Sequence, residues 1–120
     1  MCTSLGYTDA AGKTYFGRTM ELTVDLPYQL LHLPVGFEIS SDIPGHPALI
    51  FTARYGLVAI AMPARMPTAE APLSAADMKV LEGLNDQGLT FSLLAYPNAV
   101  GKQASVDATR SVLSASDLGA

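Results

Sequence analysis

A single cysteine stands among the 120 residues. One thiol excludes an internal disulfide and leaves no cysteine pair to build a metal cluster. Charge is scarce as well, at 15% of the chain, and 7 Lys and Arg stand against 11 Asp and Glu for a net charge of −4. The basic residues form no cluster, which argues against an electrostatic grip on nucleic acid. Long apolar runs are also missing. Stretches such as Leu57–Pro63 fall far short of a bilayer-spanning helix. No positively charged start leads into an apolar stretch, so the chain as written reads as cytoplasmic and without a signal peptide. It reads as periplasmic if a leader stood where Met1 now stands. What is plentiful is apolar residue, 49% of the total, which argues for a packed core at a length usual for one domain.

Most of the chain reads as strand. Cys2–Thr8 and Thr14–Leu22 flank Asp9-Ala10-Ala11-Gly12-Lys13, where Gly12 suits the left-handed closing residue of a bulged hairpin. Counting back from Asp9 opposite Lys13 sets Ser4 opposite Arg18 and Cys2 opposite Met20, all on one face. Gln29–Leu33 is a third strand, stopped by Pro34 and Gly36. Ser40 through Pro47 is turn-rich around Pro44-Gly45. Ala48–Arg54 and Leu57–Ala61 read as a second hairpin around Tyr55-Gly56. Met62–Asp77 carries Pro63, Pro67 and Pro72, too many for a helix interior, and reads as a loop against an apolar pocket rim. Val80–Leu84 and Leu89–Tyr96 form a third hairpin around Asn85-Asp86-Gln87-Gly88. Ser116 reads as the N-cap of a helix that has barely begun at Ala120. A sheet-rich α+β protein, cut at a helix entrance, is the expectation.

Cys2 has a particular chemistry if Met1 is removed. The chain then begins with a thiol and an α-amine on one residue. The amine, with an ordinary pKa of about 7.7–8.0, takes up the thiol proton near neutral pH. A neighbouring cation favours the thiolate, and Arg18 shares the face of Cys2 in the expected register. Read without its surroundings, a free cysteine is more often a small core residue.

The surroundings are informative. Cys2-Thr3-Ser4-Leu5, the hairpin, and Phe16-Gly17-Arg18-Thr19-Met20-Glu21 together resemble the start of the choloylglycine hydrolase family. These are N-terminal-nucleophile hydrolases that include bile salt hydrolases and penicillin V acylases. Leu31-His32-Leu33-Pro34 is similar to the family's apolar strand ending in Pro. Glu82-Gly83-Leu84-Asn85-Asp86-Gln87-Gly88-Leu89 is similar to its Asp-Gly-Met/Leu-Asn-Glu-Lys-Gly-Leu turn.

The resemblance implies an αββα sandwich, of which this chain holds mainly the first strands as the N-terminal part of a truncated domain. It implies Cys2 as nucleophile and Arg18 as the arginine that supports its thiolate and contacts substrate. Glu21 stands where bile salt hydrolases have Asp, a partner for the Cys2 amine. Ala95 falls where the family has an Asn or Tyr whose backbone N–H lines the oxyanion hole. Val35 replaces a frequent Arg after the strand-ending Pro. The implied activity is hydrolysis of a linear non-peptide amide of penicillin V, conjugated bile salt or acyl-homoserine-lactone type. Many relatives are homotetramers, and the family's second oxyanion donor and another catalytic Arg fall at positions after Ala120. The alternative is an inactive fragment or a binding relative that keeps the sheet without turnover.

Other residues carry blander readings. Met20, Met62, Met66 and Tyr96, with Phe16, Phe51 and Tyr28, are candidates for an acyl pocket, although core packing accounts for any one of them. Asn85 serves its turn. His32 and His46 lack carboxylates or cysteines at ligand spacing, so no metal or cofactor is expected. Asp77 and Glu70 read as solvated loop charges. The expected partner is a small N-acyl amide, with no nucleic acid and no membrane.

Overall fold

A computed structural model describes residues 2–21, 25–94 and 106–118. The described residues are mostly sheet: eight strands in three antiparallel sheets, one 3-10 turn, Ala75–Asp77, and one short helix, α1, Ala115–Leu118. The strands are β1 Thr3–Thr8, β2 Thr14–Thr19, β3 Gln29–Leu33, β4 Glu38–Ser41, β5 Leu49–Thr52, β6 Leu57–Pro63, β7 Met78–Asn85 and β8 Thr90–Ser92. Among the described residues no helix is long and apolar enough to cross a membrane.

The first hairpin has the expected register, with Ser4 opposite Arg18, but the ladder ends at Thr3 opposite Thr19, so Cys2 and Met20 lie beyond it rather than paired within it. Its loop is closed by Asp9, whose Oδ1 accepts from the backbone N–H groups of Ala11 and Lys13, each at 2.9 Å. Gly12 sits at φ +79°, in the left-handed region where a Cβ is unfavourable. Tyr7 and Tyr15, directly opposite, stack with centroids 6.2 Å apart. β2 ends at Thr19 rather than Leu22, and residues 22–24 lie outside the described segments.

The central sheet has the order β3-β6-β7-β8. β6 alternates cleanly, with Leu57, Ala59 and Ala61 buried and Val58 and Ile60 outward, as period-2 pleating requires. Leu33, Leu57, Ala59 and Val80 form the core, against which Leu31, Phe37, Ala75 and Phe91 pack. The other face carries the rows Leu30, Ile60, Glu82, Ser92 and His32, Val58, Leu84, Thr90. The β1–β2 hairpin reaches this second face, where Arg18 of β2 meets Glu82 of β7.

Two expectations about strand pairing are corrected. Ala48–Arg54 and Leu57–Ala61 do not pair with each other. β5 pairs with β4, and β6 pairs with β3 and β7. The turn-rich segment Ser40–Pro47 begins as strand, since Ser40 and Ser41 belong to β4, and only Pro44-Gly45 turns, with Gly45 at φ +86°. The physical reason is competition: two apolar strands beside a tight turn pair only if neither finds better partners. Leu57–Pro63 is buried on one face along its length and takes the central position. The third hairpin forms with Leu84 opposite Thr90, but β7 runs longer than expected, from Met78 to Asn85, and β8 is shorter, ending at Ser92.

The helix cap also moves. Ser114, not Ser116, accepts the N–H of Asp117 at 3.1 Å through its Oγ. Ser114 is preferred because its own N–H donates to the buried Ser41 Oγ at 3.0 Å, which fixes it against β4.

Candidate active site

The site lies where the first hairpin meets β7 and the segment after β8. Its first element is the N-terminal approach to β1. Thr3 is opposite Thr19 at the end of the ladder, and its N–H donates to Thr19 Oγ1 at 3.2 Å. That bond anchors the backbone immediately after Cys2. Cys2 is half-buried and carries the chain's only thiol.

Arg18 is the second element. Gly17 and Thr19 flank it on β2, and its side chain is only 5% exposed. A buried guanidinium must be paired or hydrogen-bonded to persist. Nη1 donates to Glu82 Oε1 at 3.1 Å, and Nη2 donates to the Leu93 carbonyl at 2.6 Å. Nε is buried with no hydrogen-bond partner among the described residues.

A register shift between Ile60 and Ala61 supplies the third element. Ile60 pairs with Glu82 and Ala61 with Val80, so Leu81 is an extra residue on β7. Bulges re-aim side chains next to functional sites. Here Leu81 lines the site cavity while its neighbour Glu82 binds Arg18. The Leu93 N–H donates to the Leu81 carbonyl at 2.8 Å, bringing the segment after β8 to the same place.

These elements border an open cavity of about 410 Å³ lined by Cys2 and Arg18 with Met20, Leu26, Tyr28, Met62, Leu81, Leu93 and Leu94. The lining residues are apolar save for Cys2, Arg18 and Tyr28. Of the residues singled out in the sequence, the fold gathers Cys2, Arg18, Met20, Met62 and Tyr28 here. Met66 is 76% exposed and lines no part of the cavity, because β6 ends at Pro63 and Met66 falls in the exposed loop that follows. Glu21 is exposed, and its Oε1 accepts from Thr19 Oγ1 at 3.3 Å. Ala95 and Tyr96 lie outside the described residues.

Asn85 acts within its turn: Oδ1 accepts the N–H groups of Gln87 at 3.0 Å and Leu89 at 2.9 Å. His32 is exposed on β3, and His46 Nδ1 donates to the Arg110 carbonyl at 3.0 Å. Asp77 is no free loop charge. Arg65 grips it through Nε at 2.8 Å and Nη2 at 3.0 Å. Hydrogen bonds from Arg65 and from Ser74 hold the Asp77 carboxyl well below the usual carboxylate range.

Glu82 belongs to the site although its sequence motif assigns it only to the approach to a turn. A signal for it does exist: one carboxylate inside Val80-Leu81-Glu82-Gly83-Leu84 needs a partner if the strand is covered. Leu93 contributes a backbone carbonyl, which no side-chain pattern reveals. Comparison with family models, characterised proteins and solved structures returns no match to this chain.

Proposed function

We propose that the protein is a cysteine amidohydrolase of the N-terminal-nucleophile type, acting on a linear non-peptide N-acyl amide. One observation carries the reading: Cys2 and the buried Arg18 open onto the same apolar cavity of about 410 Å³. A cavity of that size suits a bulky apolar acyl group. The motif resemblance around Cys2, Arg18 and Asn85 supports it, and with it an αββα sandwich as the fold.

The chemistry begins with removal of Met1, which frees the Cys2 α-amine. The neutral amine takes the thiol proton, directly or through water. The thiolate attacks the amide carbonyl carbon, and the carbonyl electrons move to oxygen, for which the resemblance implies the backbone N–H of Ala95 as one donor. The protonated amine gives its proton to the leaving nitrogen as the C–N bond breaks, leaving a thioester on Cys2. Water, deprotonated by the same amine, attacks the thioester, and the acid leaves as the thiol reforms. The resemblance gives Arg18, which lines the same cavity as Cys2, the role of the cation beside the nucleophile.

A second reading, a binding relative without turnover, is favoured by one feature. Two arms of the Arg18 guanidinium are already committed to Glu82 and Leu93. Intact mass and a panel of N-acyl amides separate the two. Loss of Met1 with hydrolysis that disappears in Cys2→Ser supports the enzyme. Retention of Met1 on the folded protein overturns it, and ligand binding without hydrolysis identifies the binding relative.

A further inference from the structure

The ion pair between Arg18 and Glu82 is the most deeply covered polar contact at the site. Its side chains are 5% and 17% exposed. Placing a guanidinium beside a cysteine in an apolar cavity is costly unless its charge is compensated, and compensation also weakens its pull on the thiol. Glu82 is therefore poised to set how much positive charge Cys2 experiences. It does so from β7, without lining the cavity itself.

We propose that Glu82 is a positioning residue for this site. It orients and partly neutralises the Arg18 guanidinium, thereby setting the thiol chemistry of Cys2. The geometry is specific. Glu82 holds Nη1 and the Leu93 carbonyl holds Nη2, so the plane of the guanidinium is fixed at two points. The remaining donor, Nε, has no partner among the described residues although it is buried. The bulge at Leu81 makes the arrangement possible, because it sets Leu81 against the cavity and Glu82 against Arg18 in consecutive positions.

The inference deepens the hydrolase reading and rests on it, but its test does not need turnover. The groups with charge or a titratable proton to consider around Cys2 are Arg18 from β2, Glu21 after β2, Tyr28 before β3, Glu82 from β7 and the α-amine once Met1 is removed. The measurement is the rate of Cys2 alkylation by iodoacetamide as a function of pH, on the full chain, for the parent, Glu82→Gln, Arg18→Gln and the double variant. Glu82→Gln keeps an acceptor for Nη1 and removes the negative charge. Its labelling midpoint is expected to fall by about one pH unit as Arg18 acts on the thiol uncompensated. In the Arg18→Gln background the same Glu82 change is expected to move the midpoint by less than about half as much, since no guanidinium remains for the carboxylate to hold or mask.

A midpoint unchanged in folded Glu82→Gln overturns the proposal. So does an equal downward shift in both backgrounds, which would mean that Glu82 acts on the thiol without Arg18. Should Glu82→Gln fail to fold, Glu82→Asp serves in its place. Its shorter side chain weakens the grip on Nη1 and is expected to lower the midpoint by a smaller amount, and no movement again overturns the proposal. Retained Met1 or absent hydrolysis would remove the hydrolase reading while leaving this labelling result to be judged by itself.

Discussion

Lys79 Nζ donates to Asp117 Oδ1 at 2.9 Å, tying the last helix to the central sheet. Asp117 is buried, and Ser114 Oγ donates to its other carboxylate oxygen. Ser41, buried on β4, accepts from the Ser114 N–H and donates to the Val112 carbonyl at 3.3 Å. One short helix thus joins β4 and β7, members of different sheets. Burial pushes the Asp117 carboxyl upward, and hydrogen bonds led by those from Ser114 and Lys79 outweigh it, so the group is held below its ordinary 3.8.

That direction sets a pH dependence. A carboxyl lowered in the folded state adds stability that is present above its unfolded value and lost as pH falls through the folded one. Docking of α1 is therefore expected to hold at neutral pH and to loosen below about pH 4. Asp117→Asn should cost about 1–2 kcal/mol at pH 7, discounted for the partly exposed Lys79, and should flatten the acid limb. Denaturant melts at pH 7 and pH 3 check both, and an unaltered acid limb in Asp117→Asn would contradict the assignment.

Gly83 is fixed by packing. A Cβ built there would lie 2.7 Å from Leu57 Cδ1, and Leu57 is itself 4% exposed in the core. The clash falls on a side-chain end, yet that end has nowhere to go without disturbing Ala59 and Val80. Gly83→Ala is expected to destabilise by about 1–3 kcal/mol. Pairing it with Leu57→Ala should recover part of that loss relative to additivity, measured by a double-mutant cycle on chemical denaturation.

The loop after β6 is held by one arginine. Besides Asp77, Arg65 donates to the carbonyls of Ala71 at 2.8 Å and Pro72 at 2.9 Å. Removing the carboxylate in Asp77→Ala is expected to free this loop and speed tryptic cleavage after Arg65 several-fold, with little change at other sites. Mass spectrometry of timed digests reads the outcome.

Breaking the Arg18–Glu82 pair from one side should be worse than replacing both. Arg18→Met leaves a carboxylate covered and unpaired, and its cost is expected near about 3–5 kcal/mol. Arg18→Met with Glu82→Leu removes both charges and should be more stable than the single variant. A thermal melt that orders the two variants the other way would show that Glu82 does not depend on Arg18.

Several parts of the fold were legible from local chemistry. Asp9 and Gly12 specify the first turn, Asn85 and Gly88 the last, and the register Ser4 to Arg18 follows from counting outward from the first turn. These are short-range facts, set within a few residues of each turn. The pairing of β5 with β4 was not legible. Leu49–Thr52 and Leu57–Pro63 look alike locally, and which strand enters the central sheet depends on what else competes for its edges.

The site divides in the same way. Sequence alone determined that Ser4, two residues after Cys2, stands opposite Arg18, because a tight turn and a two-residue pleat set the register between the strands. It also supplied Met20 and Met62 as apolar candidates. Only the tertiary structure decided that Glu82, distant from Arg18 in the chain, meets it at 3.1 Å, and that the Leu93 carbonyl completes the grip. The reason is physical. A turn fixes its neighbours through covalent geometry, whereas a buried ion pair forms where a bulge on one sheet happens to face the hairpin of another, and no local signal encodes that meeting.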